Sequence, residues 1–291
     1  MATKKRGTKP AAQLEKTASA AKRAAGKATH ENPLLPHKTL QEMHASMMTA
    51  RQMERRAAPL LRKRRATSFT GREATFIGVL PHLLPQDRIS TAPGEIMMRL
   101  LRGGAPREIL RELRSAKARN TEENGVLPPV ERMPERLAMA AGIAHAGKAA
   151  KNEGVVVAYL EPGEMEHDWL EILKTAARLE LPIVFICLHG GDGKKAVRLR
   201  QWGQLRAVTR LKGGLELVPV IPVDGQDVVA MYRAAQESIL RARMGIGPTV
   251  LWCEHWDLGP KQRDPLAEFE SYLFSKGLSP RKRRSSQAIA V

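Results

Sequence analysis

Three apolar, β-branched runs constrain this chain more than any other feature: VVVAYL at 155–160, PIVFICL at 182–188 and PTVLWCE at 248–254. Each is short, and the first is bounded by Gly154 and Pro162. A strand with one wet face alternates polar and apolar residues, whereas one apolar throughout is buried on both faces, as in the parallel sheets of α/β proteins. Helical spacing from Trp169 to Leu179 separates the first two runs, and LVPVIPV followed by a helical stretch from Asp227 to Arg243 precedes the third. Strand–helix–strand units of this kind make right-handed crossovers, so the expected fold is α/β, an open parallel sheet with helices on both faces.

The upstream half supplies further elements. From Thr39 to about Arg65, Leu40, Met43, Met47, Met53, Ala57 and Leu61 recur at helical spacing, which predicts one long amphipathic helix with a methionine-rich core face. A helix from Arg72 to about Leu83, a short strand from Arg88 to Thr91, and helices from Glu95 to Arg102 and from Pro106 to Arg119 follow. Residues 120–134, with three prolines and a glycine, read as a loop over the sheet edge, and Glu135 to Lys151 as a helix of small residues suited to close packing.

Charge is unevenly distributed. The net charge is +18, but residues 1–30 hold eight Lys/Arg against one Glu, and Arg281 to Arg284 is a second basic run, which leaves about +7 for the body. The expected organisation is a disordered basic tail at 1–33, a single domain at 34–278 and a basic tail at 279–291. The tails suit non-specific attraction to nucleic acid. A solubilising role or a true start at Met43 or Met47 also accounts for the first tail, whereas its lysines and Glu15 argue against an organelle-targeting segment. Two cysteines, Cys187 and Cys253, both in apolar runs, exclude a disulfide framework and a multi-cysteine zinc site. With no stretch of ~18 apolar residues and no secretory signal pattern, the expectation is a soluble cytoplasmic protein without a membrane partner.

In an open parallel sheet, ligands sit at the carboxyl ends of the strands. After VVVAYL comes an acidic loop with Glu161, Glu164, Glu166, His167 and Asp168, whose donors could suit a divalent cation but whose acidic run reads first as the start of a helix, at the positive end of its dipole. After PIVFICL comes His189-Gly190-Gly191-Asp192-Gly193, glycine-rich and able to offer amides to a phosphate. No nucleophile elbow or Cys/His pair is visible.

From about Leu40 to Leu278 the order of segments resembles the alpha subunit of the thiamine-diphosphate-dependent first component of 2-oxo acid dehydrogenase complexes, of pyruvate, branched-chain and acetoin type. The residues that carry the resemblance are LQEMHASMMTARQMERRA, TGREATFIGVLPHLLPQDRIST (close to the family's Gly-Gln-Glu-Ala helix), LLRGGAPREILREL, the two apolar runs, PVIPVDGQDVVAMYRAAQESILRARMGIGPTVLWCE and DPLAEFESYLFSKGL. The resemblance implies the thiamine-diphosphate-binding fold and an oligomer, either of this chain or with a beta-type subunit.

The cofactor chemistry does not transfer residue by residue. Glu161-Pro162-Gly163 stands where the family has Gly-Asp-Gly, and His189-Gly190 where it has an Asn pair; the Asp and first Asn of the family hold Mg²⁺ through hard oxygen donors. Only Gly163 matches. Pro93-Gly94-Glu95-Ile96 replaces a Tyr-Arg pair with a nearby His, and the Met-His loop that covers the cofactor has no counterpart between Arg119 and Glu135. Gly71, Glu73 and Ala74 are retained. No cofactor is therefore expected, and the reading is a structural or regulatory subunit. The alternative is an active, divergent alpha subunit that binds thiamine diphosphate and Mg²⁺ through Glu161, Gly163 and His189 and decarboxylates a 2-oxo acid. A further alternative is nucleic-acid binding through the tails.

Overall fold

A computed structural model describes residues 32, 34–63, 70–115, 121–161, 168–190, 218–255 and 263–278. Both basic tails, Pro162, Gly163 and the glycine-rich stretch after Gly190 lie outside the described residues. Five parallel strands, β1 (Arg88–Ser90), β2 (Val156–Leu160), β3 (Ile183–Gly190), β4 (Val220–Asp224) and β5 (Thr249–His255), form one sheet in the order β1-β2-β3-β5-β4. The open parallel sheet expected from the apolar runs is present, and every residue of β2 is buried.

Alternation of side chains along the strands divides the core in two. Val157, Tyr159, Ile186, Leu188, Leu251 and Cys253 face helices α1 (His37–Lys63), α2 (Glu73–Ile77), α3 (Met97–Leu101), α4 (Pro106–Ser115), α7 (Val228–Arg243) and α8 (Pro265–Ser275). Val156, Ala158, Leu160, Phe185, Cys187 and Trp252 face α5 (Met133–Ala149) and α6 (Asp168–Arg178). The methionine stripe of α1 is core: Met43, Met47 and Met53 are buried.

Two expected helices end differently from the sequence reading. The stretch from Arg72 to Leu83 is α2 followed by a 3-10 turn at Leu80–His82. At Gly78, just after α2, a Cβ would lie 2.5 Å from Met231 Cβ, so the tight seat against α7 needs glycine and sets where the segment turns. The helix expected from Glu95 begins at Met97, because the Glu95 carboxylate accepts hydrogen bonds from the Met97 and Met98 amides ahead of it.

The sheet edges are protected. Pro222 lies in β4, an edge strand, where its missing N–H costs no ladder bond. On the opposite edge Ile89 of β1 accepts from Leu127 N (2.8 Å) and donates to Gly125 O (2.8 Å), so the loop expected over the edge covers it. A two-residue turn at Asn124 (φ 51°) and Gly125 (φ 80°), both left-handed, folds this loop back.

At the amino ends of the strands, the fully buried Asp87 carboxylate accepts from the amides of Leu84 (2.7 Å) and Val155 (2.8 Å) and from Arg243 at the end of α7 (2.7 Å). Removing one partner of such a pair leaves a buried charge unmatched. Asp87→Ala is expected to lower the unfolding free energy by about 3 kcal/mol, read from urea transitions; a loss under about 0.5 kcal/mol, the size of an ordinary surface change, would refute that role.

Candidate functional site

The polar groups at the carboxyl ends of the strands gather on the face of α1 and α2. Arg51 on α1 donates from Nε to Glu73 (2.8 Å) and from Nη1 to Asp264 (2.7 Å), the N-cap of α8. Glu73 also accepts from Gly71 N (2.8 Å), whose φ of 85° places the amide there. One arginine thus fastens α1, α2 and α8, and the retained Gly71 and Glu73 serve this junction. Burial pushes the Glu73 carboxyl up from its ordinary value, and the Arg51 charge opposes it.

Beside this junction, Arg72 Nη2 donates to Glu161 Oε2 at 2.5 Å, with the two side chains only 14% and 13% exposed. Glu161 is the first residue after β2. Glu95, partly buried, lies nearby, and its carboxyl is pushed up to about 7: desolvation is the largest cause, the Met97 and Met98 amides oppose it, the Glu161 charge adds to it, and Arg72 opposes it. The Tyr159 phenol, buried and stacked on Phe76 at 4.8 Å, finds no hydrogen-bond partner among the described residues. Burial first, then Glu95, raises its pKa well above the ordinary value.

His255, at the end of β5, completes the group. Its ring is held neutral, pushed down to about 4 by burial and then by the Arg72 charge. Its Nδ1 lies 3.3 Å from the His189 carbonyl and its Nε2 2.8 Å from the Thr75 hydroxyl oxygen. Thr75 also lies 2.8 Å from the Gly225 carbonyl. At Gly225 a Cβ would come within 2.6 Å of the His255 ring, so this packing needs glycine.

The candidate residues from the sequence do not converge. Glu161 turns to Arg72 on the α1/α2 side, whereas the His189 ring packs on Trp252 (4.9 Å between centroids), whose side chain belongs to the α5/α6 side. Gly163 lies outside the described residues. Among the described residues, no three His, Cys, Asp or Glu side chains gather where they could hold a metal ion. The donors seen here do not fit a Mg²⁺–diphosphate, which needs several oxygens converging on one octahedral centre.

Sequence reasoning missed Arg72, Glu95 and His255. For His255 a signal was available, because it ends PTVLWCEH at a strand's carboxyl end. For Arg72 the signal was its place at the Gln of the family's Gly-Gln-Glu-Ala helix.

The two shifted titrations act in opposite directions. Folded Glu95 keeps a proton that the unfolded chain releases near 4.5, so its contribution is complete below 4.5 and is lost as pH rises to about 7. Neutral His255 contributes above 6.5, and this is lost as pH falls towards 4. In urea unfolding between pH 5 and 8, Glu95→Gln should gain stability relative to wild type as pH rises. Parallel profiles for the two proteins would show that Glu95 ionises freely.

Comparison with known proteins agrees with this architecture. The chain is 27% identical over 280 residues to the pyruvate dehydrogenase E1 component subunit alpha of Acholeplasma laidlawii, covering 87% of this chain and 81% of that one. It is 26% identical over 282 residues to the 3-methyl-2-oxobutanoate dehydrogenase subunit alpha of Mycobacterium tuberculosis, covering 84% and 73%. It is 29% identical over 198 residues to the alpha subunit of an acetoin:2,6-dichlorophenolindophenol oxidoreductase of Cupriavidus necator, covering 64% and 59%. The family model for the dehydrogenase E1 component matches residues 45–260, and the chain belongs to that family.

Proposed function

We propose that this chain is an alpha-type subunit of a 2-oxo acid dehydrogenase first component that has lost or weakened its hold on thiamine diphosphate and serves its assembly as a structural or regulatory subunit. The observation that carries this reading is the divergence of the two described candidate ligands. Glu161 is committed to Arg72 on one face of the sheet, and His189 to Trp252 on the other. Pro162, at the position of the family's metal-binding Asp, has no side-chain oxygen to offer.

The partner in this proposal is a beta-type subunit or a second copy of the chain, in keeping with the alpha-subunit relatives. Helix α5 offers a contact surface: Leu137, Ala140 and Ala144 are buried beneath it, while Ala138, Gly142 and Ala146 are exposed on its outer side. Nothing lies within 4 Å of a Cβ built at Gly142. The proposed location is the cytoplasm; among the described residues no helix is long and apolar enough to cross a membrane.

Calorimetric titration of the purified chain, alone and with its co-expressed partner, with thiamine diphosphate and Mg²⁺ tests the proposal. No heat of binding in the micromolar range is expected. Micromolar binding abolished by a chelator would instead make the chain an active, divergent alpha subunit. Sedimentation should show a species heavier than the 32.2 kDa protomer, and a lone protomer at all micromolar concentrations with no co-purifying chain would contradict the assembly role.

A further inference from the structure

We infer that the solvent face shared by the second half of α1 and by α4 is a docking surface for the phosphate backbone of nucleic acid, carried by the folded body and separate from the basic tails. It does not rest on the proposed loss of cofactor binding. The two helices pack together, with Ala57 and Leu61 of α1 and Leu110 and Leu113 of α4 in one core, so their exposed sides adjoin. On those sides stand Arg55, Arg56 and Arg62 of α1 and Arg107, Arg111 and Arg114 of α4. Three acids interleave with them: Glu54 is buried, Glu112 is held by Arg99 at 2.9 Å, and Glu108 lies 3.9 Å from Arg111. Among the described residues the side chains of Arg55, Arg62 and Arg114 make no hydrogen bond or ion pair. By contrast, Arg132 meets Glu135 and Lys174 meets Glu171 elsewhere on the surface, each at 2.6 Å. In sequence, 64–69 and 116–120 hold four Lys or Arg and no Asp or Glu, so neither stretch has a carboxylate with which to neutralise the face.

Arg55 and Arg62, like Arg107 and Arg114, are seven residues apart, which is about 10 Å along a helix and about the rise of three base pairs. Two such rows suit a polymer with repeated phosphates, each of which a guanidinium fork can grip through two oxygens. A protein partner would need apolar or aromatic anchors from which water is excluded, and a helix lying in a membrane surface would need an apolar face. None of the exposed large apolar side chains among the described residues lies on α4 or on the second half of α1. Backbone phosphates require only accessible cations and carry no base sequence, so the binding is independent of sequence and falls with salt.

The test is fluorescence anisotropy of a labelled generic DNA duplex titrated with the full chain at about 50 to 200 mM NaCl. Wild type should bind in the micromolar range at about 100 mM. The Arg55→Gln/Arg62→Gln/Arg111→Gln/Arg114→Gln variant should bind roughly tenfold more weakly at that salt, with the slope of log Kd against log salt reduced by about 2 or more. Each pair alone, Arg55→Gln/Arg62→Gln or Arg111→Gln/Arg114→Gln, should give about half that reduction, which keeps the test intact if the quadruple variant does not fold. A control, Lys38→Gln/Arg132→Gln/Arg178→Gln/Arg233→Gln, removes as many exposed charges from other surfaces and should keep the wild-type slope. Polyglutamate at equal charge concentration should displace less of the labelled duplex than unlabelled duplex does, because an extended chain carries one charge per ~3.3 Å against one per ~1.7 Å. The inference is overturned if wild type does not bind, if the arginine variants bind as wild type does and the tails therefore carry all the affinity, or if the control loses as much. Equal displacement by polyglutamate would also overturn it, by making the face a site for an acidic protein.

Discussion

Successive residues of a buried strand leave the sheet on opposite faces, and at the ends of β2 and β3 this parity decides what the centre of the molecule can do. Tyr159 faces α1 and α2, Leu160 faces α5 and α6, and Glu161 returns to the first side, where Arg72 meets it. On β3, Leu188 takes the first side and His189 lies against Trp252 on the second. A carboxylate at 161 is one position out of phase with 189. It is therefore drawn into a different electrostatic neighbourhood from the residue with which it would have to share a metal.

That neighbourhood is organised by arginines. Arg51 and Arg72 each hold a shielded carboxylate, Glu73 and Glu161. The cost of burying such ions is large, and close geometry with additional hydrogen bonds is what offsets it. Glu73 meets that condition with Gly71 N and Arg51, and Glu95 with two amides of α3. His255 stays uncharged beside Arg72, so it adds no second cation to the group.

The sheet was legible in the sequence because burial on two faces leaves continuous apolar runs, and VVVAYL, PIVFICL and PTVLWCE could be nothing shorter or wetter. Local signals served less well where a distant contact decides the outcome. The end of α2 depends on Met231, more than 150 positions away from Gly78, and the start of α3 on a side chain that folds back to its own amides. The site was legible as a place, the carboxyl ends of β2 and β3, but not as a constellation. Arg72, Glu95, Glu161 and His255 lie on four separate segments, and only the folded sheet brings them together. The resemblance to dehydrogenase alpha subunits identified which positions had changed; it carried no information on what the replacement side chains would bind.

A crystal structure determined from crystals grown with saturating thiamine diphosphate and Mg²⁺ tests the central claim most directly. The account predicts Arg72 within hydrogen-bonding distance of Glu161, the His189 ring against Trp252, and no density for a diphosphate beside Gly163. A metal-bound diphosphate at the ends of β2 and β3, with Glu161 or His189 turned to the metal, would contradict it.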